Sequence, residues 1–216
     1  MGEIAIALLS KELKFCELSL ESSNNTRIEV KMGRNKRAKI SNKSLIYKSG
    51  IHVSDAVDPQ KFSSVATQIS ETLDLHLAWE LLSQHLIEKE TQEIHVCEIA
   101  DLLDFEKDPY LIAAIYLHIH KDSLFFSIYE NRILIHSPQN VESIKATRIR
   151  SNRENEDEQT LIDAIKTQSI PHNLSDHQSE LIQHLKKFII LGESYNRSAK
   201  ATDLINRISS NLQGNL

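Results

Sequence analysis

Apolar and polar residues alternate over the first 48 positions, which is typical of strands with one face buried. After Phe15 the apolar series slips by one position to Leu18, and such a slip indicates a β-bulge. Four or five short strands in this stretch predict a small β-barrel over residues 1–52, because an isolated hairpin is only marginally stable in water. The alternating apolar residues are Ile4, Ile6, Leu8, Leu13, Phe15, Ile28 and Val30.

Three-and-four spacing of apolar residues replaces the alternation further along the chain and predicts helices over residues 73–86, 97–103 and 109–121. Two short alternating runs at 124–129 and 132–136 follow, joined at Glu130-Asn131, where Asn131 is expected to supply a positive φ. Three helices and a two-stranded ribbon are the pattern of a winged helix-turn-helix. With a linking helix that begins at Asp58-Pro59, this unit is predicted over residues 53–137.

Capping signals continue to the C-terminal end and predict a helical connector over residues 138–216. Ser137-Pro138 begins one helix, Ser175 and Gln178 form a capping-box pattern for the next, and Gly192 is expected to end it. A last helix is predicted over residues 197–212. The expected fold class is therefore α+β, in three parts.

Charge is distributed unevenly along a chain whose formal net charge is −5. Two interpretations of the basic segment 27–48 stay open: a solvated barrel face, or a surface that follows phosphates. Arg148 and Arg153 in the connector could assist the second role. In the basic segment a single acid, Glu29, accompanies Arg27, Lys31, Arg34, Lys36, Arg37, Lys39, Lys43 and Lys48.

Candidate catalytic and metal chemistry is sparse. His118 and His120 fall in a predicted helix, where positions i and i+2 diverge, and His95 and Cys97 lack a second pair at zinc-finger spacing. Glycine-rich phosphate loops and activated nucleophiles are absent from the sequence. Two distant cysteines and no membrane-length apolar run lead us to expect a cytoplasmic protein with no membrane partner. We expect no cofactor in this chain.

The third predicted helix is poorly equipped to read bases. A recognition helix presents Arg, Lys, Asn or Gln to the major groove. Here Lys107 and Lys121 lie only at the helix ends, and Arg132 is the one basic residue of the ribbon. Sequence-specific binding of duplex DNA is therefore not expected. The intervening positions hold Tyr110, Leu111, Ala114, Leu117 and His118.

Six short stretches lie along the predicted parts in a recognisable order: 36–40 (KRAKI), 74–81 (DLHLAWEL), 98–102 (EIADL), 113–114 (AA), 122–126 (DSLFF) and 136–146 (HSPQNVESIKA). Together they resemble the N-terminal region of exoribonuclease II-type (RNB-family) enzymes, in the subgroup that carries a helix-turn-helix unit. A further stretch, 191–193 (LGE) with 199–208, is similar to the connection into that family's catalytic domain.

This resemblance implies RNA degradation from the 3′ end by a hydrolase whose aspartates hold magnesium. Those aspartates belong to a catalytic domain that the sequence does not match, so no catalytic residue is assigned and magnesium is expected only in that domain. The expected partners are single-stranded RNA and the catalytic domain itself. A winged-helix transcription regulator, a protein-interaction scaffold and a stand-alone enzyme are the alternatives. The RNA-binding candidates are Arg27, Lys31, Arg34, Lys36, Arg37, Lys39, Lys43, Arg148 and Arg153.

Overall fold

The computed structural model describes residues 2–24, 27–33, 36–54, 56–84, 86, 92–103, 108–169, 172–196 and 198–210. It is a mixed α+β structure with an antiparallel five-stranded sheet. The chain forms two compact units, Met1–Ile144 and Lys145–Leu216. The first unit spans the residue ranges 1–52 and 53–137 of the first two predicted parts. None of the helices, over the part of the chain that the structure describes, has the length and apolar character needed to cross a membrane.

The five-stranded sheet occupies the beginning of the first unit, in the strand order β4-β3-β2-β1-β5. Every neighbouring pair is antiparallel. This order places β4 and β5 at the two ends of the sheet. The strands are β1 (Glu3–Leu9), β2 (Glu12–Asn24), β3 (Arg27–Met32), β4 (Lys36–Ser41) and β5 (Leu45–His52).

Strand β2 is covered on both faces, which corrects one prediction. Its pairing with β1 runs without interruption from Leu18 to Glu12, so the predicted bulge between Phe15 and Leu18 is wrong. Leu13 and Phe15 pack against the larger core of the unit, whereas Cys16 and Leu18 lie in a second core on the opposite face. The slip in the apolar series therefore marks the point at which the apolar residues change from one face of β2 to the other. The irregular register lies after Leu18, in the pairing with β3.

Helices and a smaller sheet complete the first unit. The order in the smaller sheet is β6-β8-β7, and α1, α3, α4 and this sheet share the larger core with one face of the five-stranded sheet. Asp58 and Asp108 cap α1 and α4 immediately before proline, as predicted. The elements are α1 (Pro59–Thr72), α2 (His76–Ser83), β6 (Gln92–Ile94), α3 (Val96–Leu102), α4 (Pro109–Lys121), β7 (Phe126–Tyr129) and β8 (Arg132–Ile135).

Local geometry differs from prediction at two places. The helix predicted over 73–86 is shorter: it spans His76–Ser83, and Leu73 and Leu75 are buried residues of the connection before it. In the β7–β8 turn, Glu130 rather than Asn131 adopts a positive φ, of 53°.

The only tryptophan, Trp79 in α2, lies with its ring centroid 4.9 Å from that of Phe125. Its Nε1–H donates to the carbonyl oxygen of His136 over 2.7 Å.

The second unit is helical. Helix α5 (Pro138–Lys166) begins in the first unit and continues into the second, where it is followed by α6 (Asp176–Leu191) and α7 (Ser198–Ser210). Leu161, Ile162, Leu181 and Leu204 form its buried core. The capping box of Ser175 and Gln178 is confirmed, and Gly192 ends α6 with a φ of 58°.

Candidate nucleic-acid interface

Strands β3 and β4 bring four of the predicted RNA-binding residues onto one face of the sheet. Lys31 lies directly opposite Arg37, and Lys39 lies opposite Glu29. Directly paired residues share a face, and side chains two positions apart on one strand also share it. Arg27, Lys31, Arg37 and Lys39 therefore lie on the same face, and all four are exposed. We refer to these four residues as the basic face.

Two carboxylates share this surface, and only one of them was visible in the basic segment of the sequence. Glu17 on β2 lies 3.4 Å from the Nζ of Lys31, and Glu29 lies 3.5 Å from the guanidinium of Arg37. The Lys31 and Arg37 side chains nevertheless remain 45% and 74% exposed, and ion pairs this exposed contribute little stability. Four cations against two carboxylates leave the basic face with an excess of positive charge.

The remaining predicted residues do not join the basic face. Lys36 lies opposite Met32, so it is on the other face of the sheet from the basic face. Lys43 lies in the turn between β4 and β5, and its Nζ donates to the Oε1 of Glu130 over 3.0 Å. Arg34 lies outside the described residues. Arg148 and Arg153 are exposed residues of α5 within the second unit.

A cavity of about 710 Å³ lies beside the basic face, between β2, β3 and the first turn of α1. We call it the β2–α1 cavity. Lys31 belongs to the basic face and also lines the cavity, as does Glu17, which lies opposite Lys31 on β2. Sequence reasoning missed this cavity because its walls come from separate elements. The one local signal is the run of Leu13, Phe15 and Glu17, which puts two apolar residues and an acid on one face of a strand.

Helix α4 is surrounded by its own unit rather than presented to solvent. Five consecutive residues, from Ile112 to Tyr116, are buried, as is Ile119. The Nδ1 of His118 lies 3.0 Å from the carbonyl oxygen of Ser70 in α1. Along α4, all of which the structure describes, only His120 and Lys121 at the C-terminal end are exposed. This helix therefore has no continuous polar face that could enter a DNA groove.

Possible metal ligands and nucleophiles are not gathered into a site within the described residues. No group of three or more His, Cys, Asp or Glu side chains in that part of the chain could hold a metal ion. Cys16 is buried, and burial raises the pKa of its thiol to about 11. A thiol with so high a pKa is a poor nucleophile at neutral pH, because the thiolate is the reactive form.

Neither a scan against protein-family models nor a search of curated proteins found a match for this chain.

Proposed function

We propose that this chain is the RNA-positioning N-terminal region of an exoribonuclease II-like enzyme. The observation that carries the proposal is the basic face, where the β3–β4 register aligns Arg27, Lys31, Arg37 and Lys39. The phosphates of single-stranded RNA would follow these side chains. In this proposal catalysis would belong to a separate domain that uses magnesium, as the resemblance to RNB-family enzymes implies.

The architecture supports this proposal in two respects. The five-stranded sheet buries Ala5, Cys16, Leu18, Val30 and Ile40 on one face, in keeping with a small barrel. The elements α2, β6, α3, α4 and the β7–β8 hairpin follow one another in the order expected for a winged helix-turn-helix, which supports this part of the proposal. In this interpretation the winged unit braces the barrel, since both pack into one core.

The burial of α4 favours RNA positioning over a winged-helix transcription regulator. A regulator of that class inserts the N-terminal part of its recognition helix into the major groove. Here the corresponding stretch, from Pro109 to Tyr116, is buried or half-buried. The basic face lies instead on the five-stranded sheet, where contacts with a flexible phosphate chain need no groove.

Salt dependence of RNA binding tests the proposal. Single-strand binding loses affinity with a log–log slope of about −0.7 for each phosphate neutralised. Four contacts predict a slope of roughly −2 to −3. Arg27→Gln combined with Lys39→Gln should flatten it by about 1.4. Fluorescence anisotropy of a labelled uridine oligonucleotide over a range of salt concentrations measures both slopes.

The matched control removes the same charge elsewhere. Lys186→Gln combined with Lys187→Gln changes two exposed residues of α6 and should leave the slope unaltered. Equal effects of the two double variants would show that only net charge matters and would overturn the assignment of the basic face. Selection of one preferred duplex from a random pool would favour the regulator. Magnesium-dependent loss of RNA from the purified chain would show that it is itself an enzyme.

A further inference from the structure

The β2–α1 cavity is large enough to hold part of a ligand and is continuous with the basic face. Its volume of about 710 Å³ falls within the range of roughly 300–1,000 Å³ found for small-molecule sites. Lys31 connects the two surfaces, because it lies opposite Arg37 on the basic face and also lines the cavity. A chain that follows the basic face therefore contacts Lys31, which also lines the cavity.

The cavity walls combine flat apolar surface with neutral polar groups. Leu13 and Phe15 from β2 and Pro59 from α1 contribute the apolar part. The Phe15 ring packs against the ring of Phe62, with a centroid distance of 5.8 Å. Gln60 and Ser63 add an amide and a hydroxyl, which can both donate and accept hydrogen bonds.

The charges in the cavity oppose one another. Glu17 accepts a hydrogen bond from the Gly2 amide over 3.1 Å and pairs with Lys31. The carboxylate of Asp58 accepts hydrogen bonds from the backbone amides of Gln60 and Lys61, each over 2.8 Å. Lys14 also lines the cavity, but it lies on the opposite face of β2 from Leu13 and Glu17, and its ammonium pairs with Glu12. On the cavity side, the ammonium of Lys31 therefore faces two carboxylates. This arrangement suits an uncharged, hydrogen-bonding ring better than a bare phosphate.

We propose that the β2–α1 cavity receives one unstacked nucleobase of the single-stranded RNA whose phosphates follow the basic face. This inference rests on the proposed function and adds base contact to it. Proteins that hold single-stranded RNA place splayed bases against aromatic and apolar side chains and hydrogen-bond their edges. Leu13, Phe15 and Pro59 provide the apolar surface, and Gln60 and Ser63 reach the base edge.

Two adjacent serines of α1 give a matched pair of variants. Ser63 lines the cavity, whereas Ser64 is exposed and does not. Ser63→Trp should fill the cavity and weaken binding of a uridine oligonucleotide by about tenfold, a typical contribution of one stacked base. Binding of an abasic oligonucleotide of the same length should not change. Ser64→Trp should leave both affinities at the wild-type value. Equal affinity of wild type and folded Ser63→Trp for the uridine oligonucleotide would overturn the inference.

A measurement on the wild-type chain decides the question even where Ser63→Trp does not fold. Uridine and adenosine nucleosides, which carry no phosphate, are added while the methyl signals of Leu13 and Val53 are followed by NMR. Saturable shifts at these two cavity residues support the inference, and their absence at millimolar nucleoside overturns it. If the proposed function itself is wrong, the abasic oligonucleotide will not bind at low salt. That result is distinguishable from the absence of nucleoside shifts.

Discussion

At the scale of single residues, two tyrosines make the first unit sensitive to alkaline pH. Tyr47 on β5 and Tyr116 on α4 lie with their ring centroids 5.8 Å apart. Burial is the main reason that the pKa of each phenol is raised to about 12, and the proximity of Tyr47 contributes to that value at Tyr116. An exposed tyrosine in the unfolded chain has a pKa of about 10. The folded state therefore keeps these protons more tightly than the unfolded state does.

This difference predicts a loss of stability between about pH 10 and pH 12. Because the pKa values are raised on folding, the stabilisation is complete below pH 10 and disappears as the pH rises through the folded values. Tyr116→Phe should reduce the pH-dependent decline in the free energy of unfolding by roughly 1–3 kcal/mol. Urea unfolding across this pH range measures that free energy. Tyr129→Phe, at a residue that is 59% exposed, is the control, and an equal effect there would contradict the explanation.

The two cysteines should differ in reactivity. Cys16 is fully buried, its Sγ–H donates to the carbonyl oxygen of Ala5 over 3.6 Å, and burial raises its pKa to about 11. Cys97 is half-buried. At pH 8 a thiol reagent should therefore modify Cys97 quickly and Cys16 only after urea is added. Cys97→Ser should eliminate the fast phase, whereas two equally fast phases in wild type would contradict the burial of Cys16.

At the scale of secondary-structure elements, α5 is followed by a glutamine whose backbone conformation favours glycine. Gln168 has a φ of 54°. The Ser169 amide donates to the carbonyl oxygen of Ala164 over 2.9 Å, and the Gln168 amide donates to that of Ile165 over 3.2 Å. These two hydrogen bonds form a Schellman motif, in which glycine is the usual residue at this position.

Gln168→Gly should stabilise the second unit by about 1 kcal/mol, since glycine adopts a positive φ without the strain imposed by a Cβ atom. Urea unfolding followed by far-ultraviolet circular dichroism measures the change. Gln168→Ala retains the Cβ and should give no gain. A stabilisation of the same size in both variants would mean that removal of the glutamine side chain, rather than relief of backbone strain, is responsible.

Helix starts were predictable because their signals are local. Asp58-Pro59, Asp108-Pro109 and the Ser175–Gln178 pair each place a capping acceptor next to the amides that it satisfies. The bulge predicted in β2 is wrong because reading a bulge from a slip in the alternation assumes that only one face of the strand is buried. Packing against two cores makes both faces apolar. The positive φ at Glu130 likewise depends on the hairpin register rather than on residue preference.

The candidate site was predictable only in part, for a related reason. Alternation along one strand places Arg37 and Lys39 on the same face, and this follows from the sequence. The neutralising role of Glu17 requires the pairing of β2 with β3, which the sequence does not specify. Lys36 has the same charge as its neighbours but lies on the opposite face. The β2–α1 cavity depends on how α1 packs on the sheet, which no single segment encodes.

At the scale of the whole molecule, the two units have separate buried cores. The described core of Lys145–Leu216 consists of Leu161, Ile162, Leu181 and Leu204, and none of these residues belongs to the cores of Met1–Ile144. Leu181→Ala should therefore destabilise the second unit by about 2–5 kcal/mol. Hydrogen exchange should accelerate in α6 and α7 while the amides of β1 and β2 keep their protection.

The matched control is Leu77→Ala, at a position in α2 that is 56% exposed, where little change is expected in either unit. Uniform acceleration of exchange throughout the chain in Leu181→Ala would show instead that the molecule unfolds as one cooperative body. Such a result would contradict the independence of the two cores.

The environment of Trp79 gives this chain an intrinsic reporter. The indole is the chain's single strong fluorophore, and its contacts with Phe125 and the His136 carbonyl lie entirely within the first unit. The emission wavelength of Trp79 will therefore shift when the first unit unfolds and will not change when only the helical unit unfolds. Any discrepancy between fluorescence and dichroism curves becomes a direct readout of stepwise denaturation, with no added dye or label.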